Sequence, residues 1–156
     1  MNEALSQLAW DALQKANVAE SKKLRPDLMT WRRGSAQMAL RINEELGNVT
    51  IYSVLVSGIT PSDELYRYLL KYNSLQRRES LALLENEGIL YIVLKYTIGI
   101  DWVTQDMLEH HVFAMQEVAD KLDTELADKY GGQLTFDDWN KMEQSQVDHL
   151  LDDLFG

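Results

Sequence analysis

The spacing of the apolar residues changes along this chain, and that change constrains the fold more than any other feature. Near the start, Leu5, Leu8, Ala9, Ala12, Leu13 and Ala16 recur every third or fourth position and form one stripe, which predicts a helix over Asn2–Glu20. Further on, Ala36, Met38, Leu40 and Ile42 alternate with Gln37, Ala39, Arg41 and Asn43, the pattern of a strand with one buried face. Side chains repeat about every 3.6 residues around a helix but every second residue along a strand. A chain that carries both periods builds helices packed on a sheet.

The remaining segments fill in the order. Met29–Arg33 reads as a short strand turning at Gly34, and Val49–Val56, apolar on both faces, as a central strand. Thr60-Pro61-Ser62-Asp63 predicts a helix start, with Thr60 as cap and Pro61 in the first turn of a helix reaching Tyr72. Ser80–Glu85 and Ile89–Thr97 flank Asn86-Glu87-Gly88 and predict a hairpin. Leu108, Val112, Met115, Ala119, Leu122 and Leu126 line one side of a long helix over Trp102–Tyr130, stopped by Gly131-Gly132. Thr135 and Asp138 then cap a last helix reaching Phe155, with Trp139, Met142, Val147 and Leu150 among its apolar residues. Ser21–Asp27 and Gly131–Leu134 read as linkers. The expected fold is α+β, a mainly antiparallel sheet of about five strands packed with helices, in the order α-βββ-α-ββ-α-α. At 156 residues it is expected to form a single domain, its core over residues 29–132 and the helices 2–20 and 135–155 as extensions.

Composition removes several functions. The chain has no cysteine, which excludes disulfides, thiolate catalysis and cysteine-ligated zinc. Its formal net charge of −10 repels phosphate backbones and anionic lipid. The basic clusters at Lys22, Lys23 and Arg25, at Arg32-Arg33 and at Arg77-Arg78 are local and balanced by nearby acids. No nucleic-acid or membrane partner is expected. The N-terminus lacks a signal-peptide pattern, so a cytoplasmic location is expected.

Groups capable of chemistry are scattered. His110 and His111 are adjacent and point about 100° apart on a helix. Asp106 and His110, spaced i and i+4 with Glu109 beside them, are the one arrangement resembling a metal or catalytic face. They carry an alternative reading as a small-ligand or metal-dependent enzyme, set against a solvated helix surface. His149 sits among Asp148, Asp152 and Asp153. The carboxylate pairs Glu44-Glu45, Asp137-Asp138 and Asp152-Asp153 fall at a turn, a helix start and a chain end, and Asp137-Asp138 suits a helix dipole. Gly-x-Ser-x-Gly and nucleotide-binding glycine patterns are missing, although an anion at the helix following Ser57-Gly58 is a weaker reading. No catalytic residue, metal or cofactor is expected.

Contact surface is the richer signal. Tyr52, Tyr66, Tyr68, Tyr72, Tyr91 and Tyr96 concentrate in the sheet and in the helix after Pro61, and tyrosine is enriched where proteins meet. Ordinary sheet-to-helix packing is the competing explanation. Leu151, Leu154 and Phe155 stand beside acids in the last helix, which either docks a partner, as in a structural subunit of an assembly, or packs home. Tyr52, Tyr66, Tyr68, Tyr91, Leu151, Leu154 and Phe155 are the candidate partner-binding residues.

Two segments carry a family likeness: Tyr52–Val56 running into Ser62–Asn73, and the hairpin Leu81–Leu94 followed by a long helix ending in Asp128-Lys129-Tyr130-Gly131-Gly132. Through them the chain resembles the YbjN-like family, which shares the fold of type III secretion chaperones. It is also similar to an uncharacterised family of photosynthetic bacteria and plastids. The resemblance implies a non-enzymatic, acidic, often dimeric protein that holds or senses a protein partner, here a homodimer with chaperone-like or regulatory binding. It transfers no catalytic residue.

Overall fold

The computed structural model describes residues 2–75 and 77–134. Helix α1 (Glu3–Lys15) opens on Asn2, whose side chain accepts the Leu5 amide at 3.1 Å. It ends before the apolar stripe does. Asn17 takes φ of 55°, a left-handed conformation that asparagine enters more easily than most residues, and the Ala16 and Asn17 amides turn back to Ala12 and Gln14. The chain then enters β1 (Ala19–Arg25), so the expected linker Ser21–Asp27 is largely strand and the helix does not reach Glu20.

Strands β2 (Leu28–Arg33), β3 (Ala36–Asn43) and β4 (Asn48–Ser57) follow as antiparallel neighbours. After α2 (Asp63–Ser74) come β5 (Ser80–Asn86) and β6 (Ile89–Gly99). Glu87 and Gly88, both at positive φ, close the β5–β6 hairpin in the way a two-residue turn between right-twisted strands requires. A single helical turn over Ile100–Trp102 precedes α3 (Gln105–Tyr130), which Thr104 caps by accepting the Met107 amide at 3.1 Å. The short β7 (Gln133–Leu134) pairs with the end of β4.

The sheet order is β1-β2-β3-β4-β6-β5, and with β7 it has seven strands among the described residues rather than the expected five. The two additions are the stretches that read as linkers. β4 is central, as its apolar sequence predicts. A bulge between Val54 and Val56 lets Leu55 and Val56 both join the main core.

Among the described residues, helices α1, α2 and α3 pack on one face of the sheet. Leu13 of α1, Leu65 and Leu69 of α2, and Leu108, Val112 and Ala119 of α3 meet Trp31, Met38, Leu40, Ile51 and Leu94. Trp31 is fully buried, and its indole N–H donates to the side-chain oxygen of Gln116 at 3.2 Å. The stripe expected on α3 is buried throughout. The Gly34-Ser35 turn is tied to α3 by Asp120, which accepts the Ser35 amide at 3.1 Å, and by Asp123, which accepts the Ser35 hydroxyl at 2.8 Å.

The other face carries a second cluster: Leu28, Ala39, Tyr52, Val54, Tyr91 and Val93, all buried. The expected helix over Thr135–Phe155, with Leu151, Leu154 and Phe155, lies outside the described residues. Among the described residues no helix is long and apolar enough to cross a membrane.

Candidate functional site

Helix α2 begins at Asp63 with Ser62 as its cap, accepting the Leu65 amide at 3.1 Å, rather than at Pro61 behind Thr60. Its first turn carries Asp63 and Glu64, which already satisfy the helix dipole and oppose a bound anion there. At its far end Asn73 fixes it to β5 with paired bonds: its side-chain amide donates to the Leu81 carbonyl and its oxygen accepts the Leu81 amide, each at 2.8 Å.

Held there, α2 stands beside α3, and a groove of about 530 Å³ runs between them. From α2, Tyr68, Lys71 and Tyr72 face it as one helical stripe, i, i+3 and i+4, with Leu75 just past the helix end. From α3, Lys121, Glu125 and Lys129 form a second ladder one turn apart, with Val118 and Leu122 beside them. Arg77 closes the end.

The tyrosines are held by charge and stacking. The Arg77 guanidinium lies 4.4 Å from the Tyr72 ring centre, and the Lys129 ammonium lies 5.4 Å from that of Tyr68 and 5.3 Å from that of Tyr130. Tyr68 and Tyr130 pack with ring centres 5.7 Å apart. The Tyr72 hydroxyl donates to Glu79 at 2.9 Å. Burial, and then that bond to Glu79, push the Tyr72 hydroxyl above the usual phenol range; burial, reinforced by the charge of Glu125, does the same at Tyr68. Both rings stay neutral at physiological pH.

The groove therefore offers aromatic faces and aliphatic floor rimmed by Lys71, Arg77, Lys121 and Lys129, against Glu125 and against Glu79, which pairs with Arg77 at 4.0 Å. In a chain of net charge −10 this is a local inversion of sign. It suits an extended or helical segment carrying both apolar side chains and carboxylates.

The candidate tyrosines divide among three places. Tyr68 lines the groove. Tyr66 lies on the opposite side of α2 and is exposed, as is Leu70 one turn on. Tyr52 and Tyr91 belong to the buried second cluster of the sheet. The groove cations escaped the sequence reading because Lys121 and Lys129 are distant in sequence from Tyr68, although the repeat Lys121, Glu125, Lys129 was visible as a charged ladder.

The Asp106 and His110 face does not converge. Asp106 and Glu109 both pair with Lys15, each at 3.8 Å, and Asp106 is almost fully exposed. His110 places its Nε2 3.3 Å from the Arg78 guanidinium, a neighbour that opposes a metal cation. Among the described residues no group of three potential ligands gathers to hold a metal.

A family model described as "T3SS (YopN, CesT) and YbjN peptide-binding chaperone 1" matches residues 5–138. No curated protein matches the chain in sequence. Solved structures share its fold, three of them as follows. The ExsC–ExsE complex aligns with a TM-score of 0.61 at 13% identity, covering 80% of this chain and 94% of that one. YbjN from E. coli aligns with a TM-score of 0.62 at 10% identity, covering 78% and 90%. The HopA1–SchA chaperone–effector complex aligns with a TM-score of 0.57 at 10% identity, covering 74% and 89%. At these identities the likeness is one of fold.

Proposed function

Because the chain belongs to the family of T3SS (YopN, CesT) and YbjN peptide-binding chaperones, we propose that it is a non-enzymatic module that holds an acidic, apolar segment of a protein partner in the groove between α2 and α3. The observation that carries the reading is the charge inversion at that groove. Lys71, Arg77, Lys121 and Lys129 surround tyrosine and leucine surface on a molecule whose net charge is −10. Such a site selects for carboxylates flanking apolar anchors and rejects basic segments.

The test uses a short labelled peptide alternating Glu and Leu, followed by fluorescence anisotropy. It binds saturably, a Lys and Leu peptide of the same pattern does not, and the Lys121→Glu/Lys129→Glu variant weakens binding by about tenfold, equivalent to about 1.4 kcal/mol. Equal binding by wild type and variant would sink the reading. Affinity capture from the native cytosol, with a mass measurement of the free protein, identifies the partner and tests the expected homodimer.

A further inference from the structure

Arg77 ends the first stretch of the groove, but not the path along α3. Beyond it lies a second hollow of about 310 Å³, and Arg77 and Val118 line both. Val118 therefore floors a continuous path, with Tyr96, Ala114 and Met115 carrying the apolar surface onward. Met115 is buried, and Tyr96 is half-buried against His111 with ring centres 4.7 Å apart, so this floor is fixed by packing.

Charge in the second hollow is unbalanced. Among the described residues lining it, Glu79 is the one carboxylate, and it already accepts the Tyr72 hydroxyl at 2.9 Å and pairs with Arg77 at 4.0 Å. Arg78 has no such relief. Its guanidinium lies 3.3 Å from Nε2 of His110, and among the described residues no carboxylate pairs with it. Arginine has donors only, so that contact uses a ring-nitrogen lone pair and supplies no negative charge.

The geometry points to a second subsite for the held segment, in which a carboxylate side chain sits on Arg78 and the apolar side chain next to it on Tyr96 and Met115. This subsite rests on the groove reading and adds to it a length and an anchor. The guanidinium presents a planar fork that matches a carboxylate with two parallel hydrogen bonds. Lining positions on α3 run from Val118 to Lys129 in the first stretch and from His111 to Val118 in the second. At helical rise these are about 17 Å and about 10 Å. An extended segment advancing about 3.3 Å per residue spans the first with about five residues and both with about eight.

Two labelled peptides alternating Glu and Leu test this by fluorescence anisotropy on the full chain, a shorter one of about five residues and a longer one of about eight. The shorter begins and ends in Glu; the longer adds Leu-Glu-Leu, at either end in turn. One of the two longer forms is expected to bind about tenfold tighter than the shorter. Exchanging its added glutamate for glutamine, or Arg78→Glu in the protein, removes most of that gain and leaves the shorter peptide's affinity within about twofold. Arg78→Gln gives an intermediate loss and serves as the second variant should charge reversal disturb the fold. Binding of the shorter peptide with no gain from either extension overturns the subsite and leaves the groove reading standing. A gain that survives both Arg78→Glu and the glutamine exchange also overturns it, because the added residues then hold by apolar contact alone. Failure of every peptide to bind sinks the groove reading and the subsite together.

Discussion

Among the described buried polar side chains, His111 shows how burial governs titration. Its ring packs against Tyr96 with centres 4.7 Å apart and lies beside His110 and Arg78. Burial first, then the charges of Arg78 and His110, hold its pKa below the ordinary 6.5. The unfolded chain therefore binds a proton that the folded chain refuses. Stability is complete above 6.5 and falls as pH drops from there through the folded value. His111→Phe keeps the ring contact with Tyr96 and removes the titration. Urea unfolding at neutral and mildly acidic pH should show wild type losing more stability than the variant, and equal losses would assign the acid response elsewhere.

Asn73 ties α2 to β5 beside the groove, because its side chain bonds both backbone groups of Leu81. Asn73→Ala removes both bonds from a part-buried site, at a cost of about 1–3 kcal/mol, and lets the wall carrying Tyr68 and Tyr72 drift. Weaker peptide binding together with reduced stability is expected, by anisotropy and urea unfolding; lowered stability with unchanged binding would mean the wall is held by something else. Elements with a strong internal period were legible before any coordinates: β3, β4, the β5–β6 hairpin and α3 all stand where alternation or a helical stripe puts them. The misses share a physical cause. β1 is an edge strand, so neither its faces nor its backbone needed an alternating pattern, and Lys22 and Lys23 disguised it as a linker. β7 is two residues long and exists only because β4 extends past β3. The groove was half legible: Tyr68 and Tyr72 stood out, but their basic partners on α3 become neighbours only through tertiary packing.

Across the molecule, charge is sorted rather than spread, and ionic strength should expose the sorting. An acidic peptide approaching the protein feels repulsion from a net charge of −10 distributed over the surface, and attraction from Lys71, Arg77, Lys121 and Lys129 once it is seated. These act over different distances. The Debye length falls from about 30 Å at 0.01 M salt to about 10 Å at 0.1 M and about 3 Å at 1 M. The first step screens the remote acids but leaves contacts of about 4 Å largely intact, whereas the second erodes the contacts as well. Affinity for the Glu and Leu peptide is therefore expected to rise or hold between the lowest and the intermediate salt, then fall at the highest. Lys121→Glu/Lys129→Glu removes the attractive half, so its residual binding should only improve with salt as repulsion is screened. A wild-type affinity that climbs steadily to 1 M would mean that the rim cations do not touch the peptide, and that the segment is held by apolar contact alone.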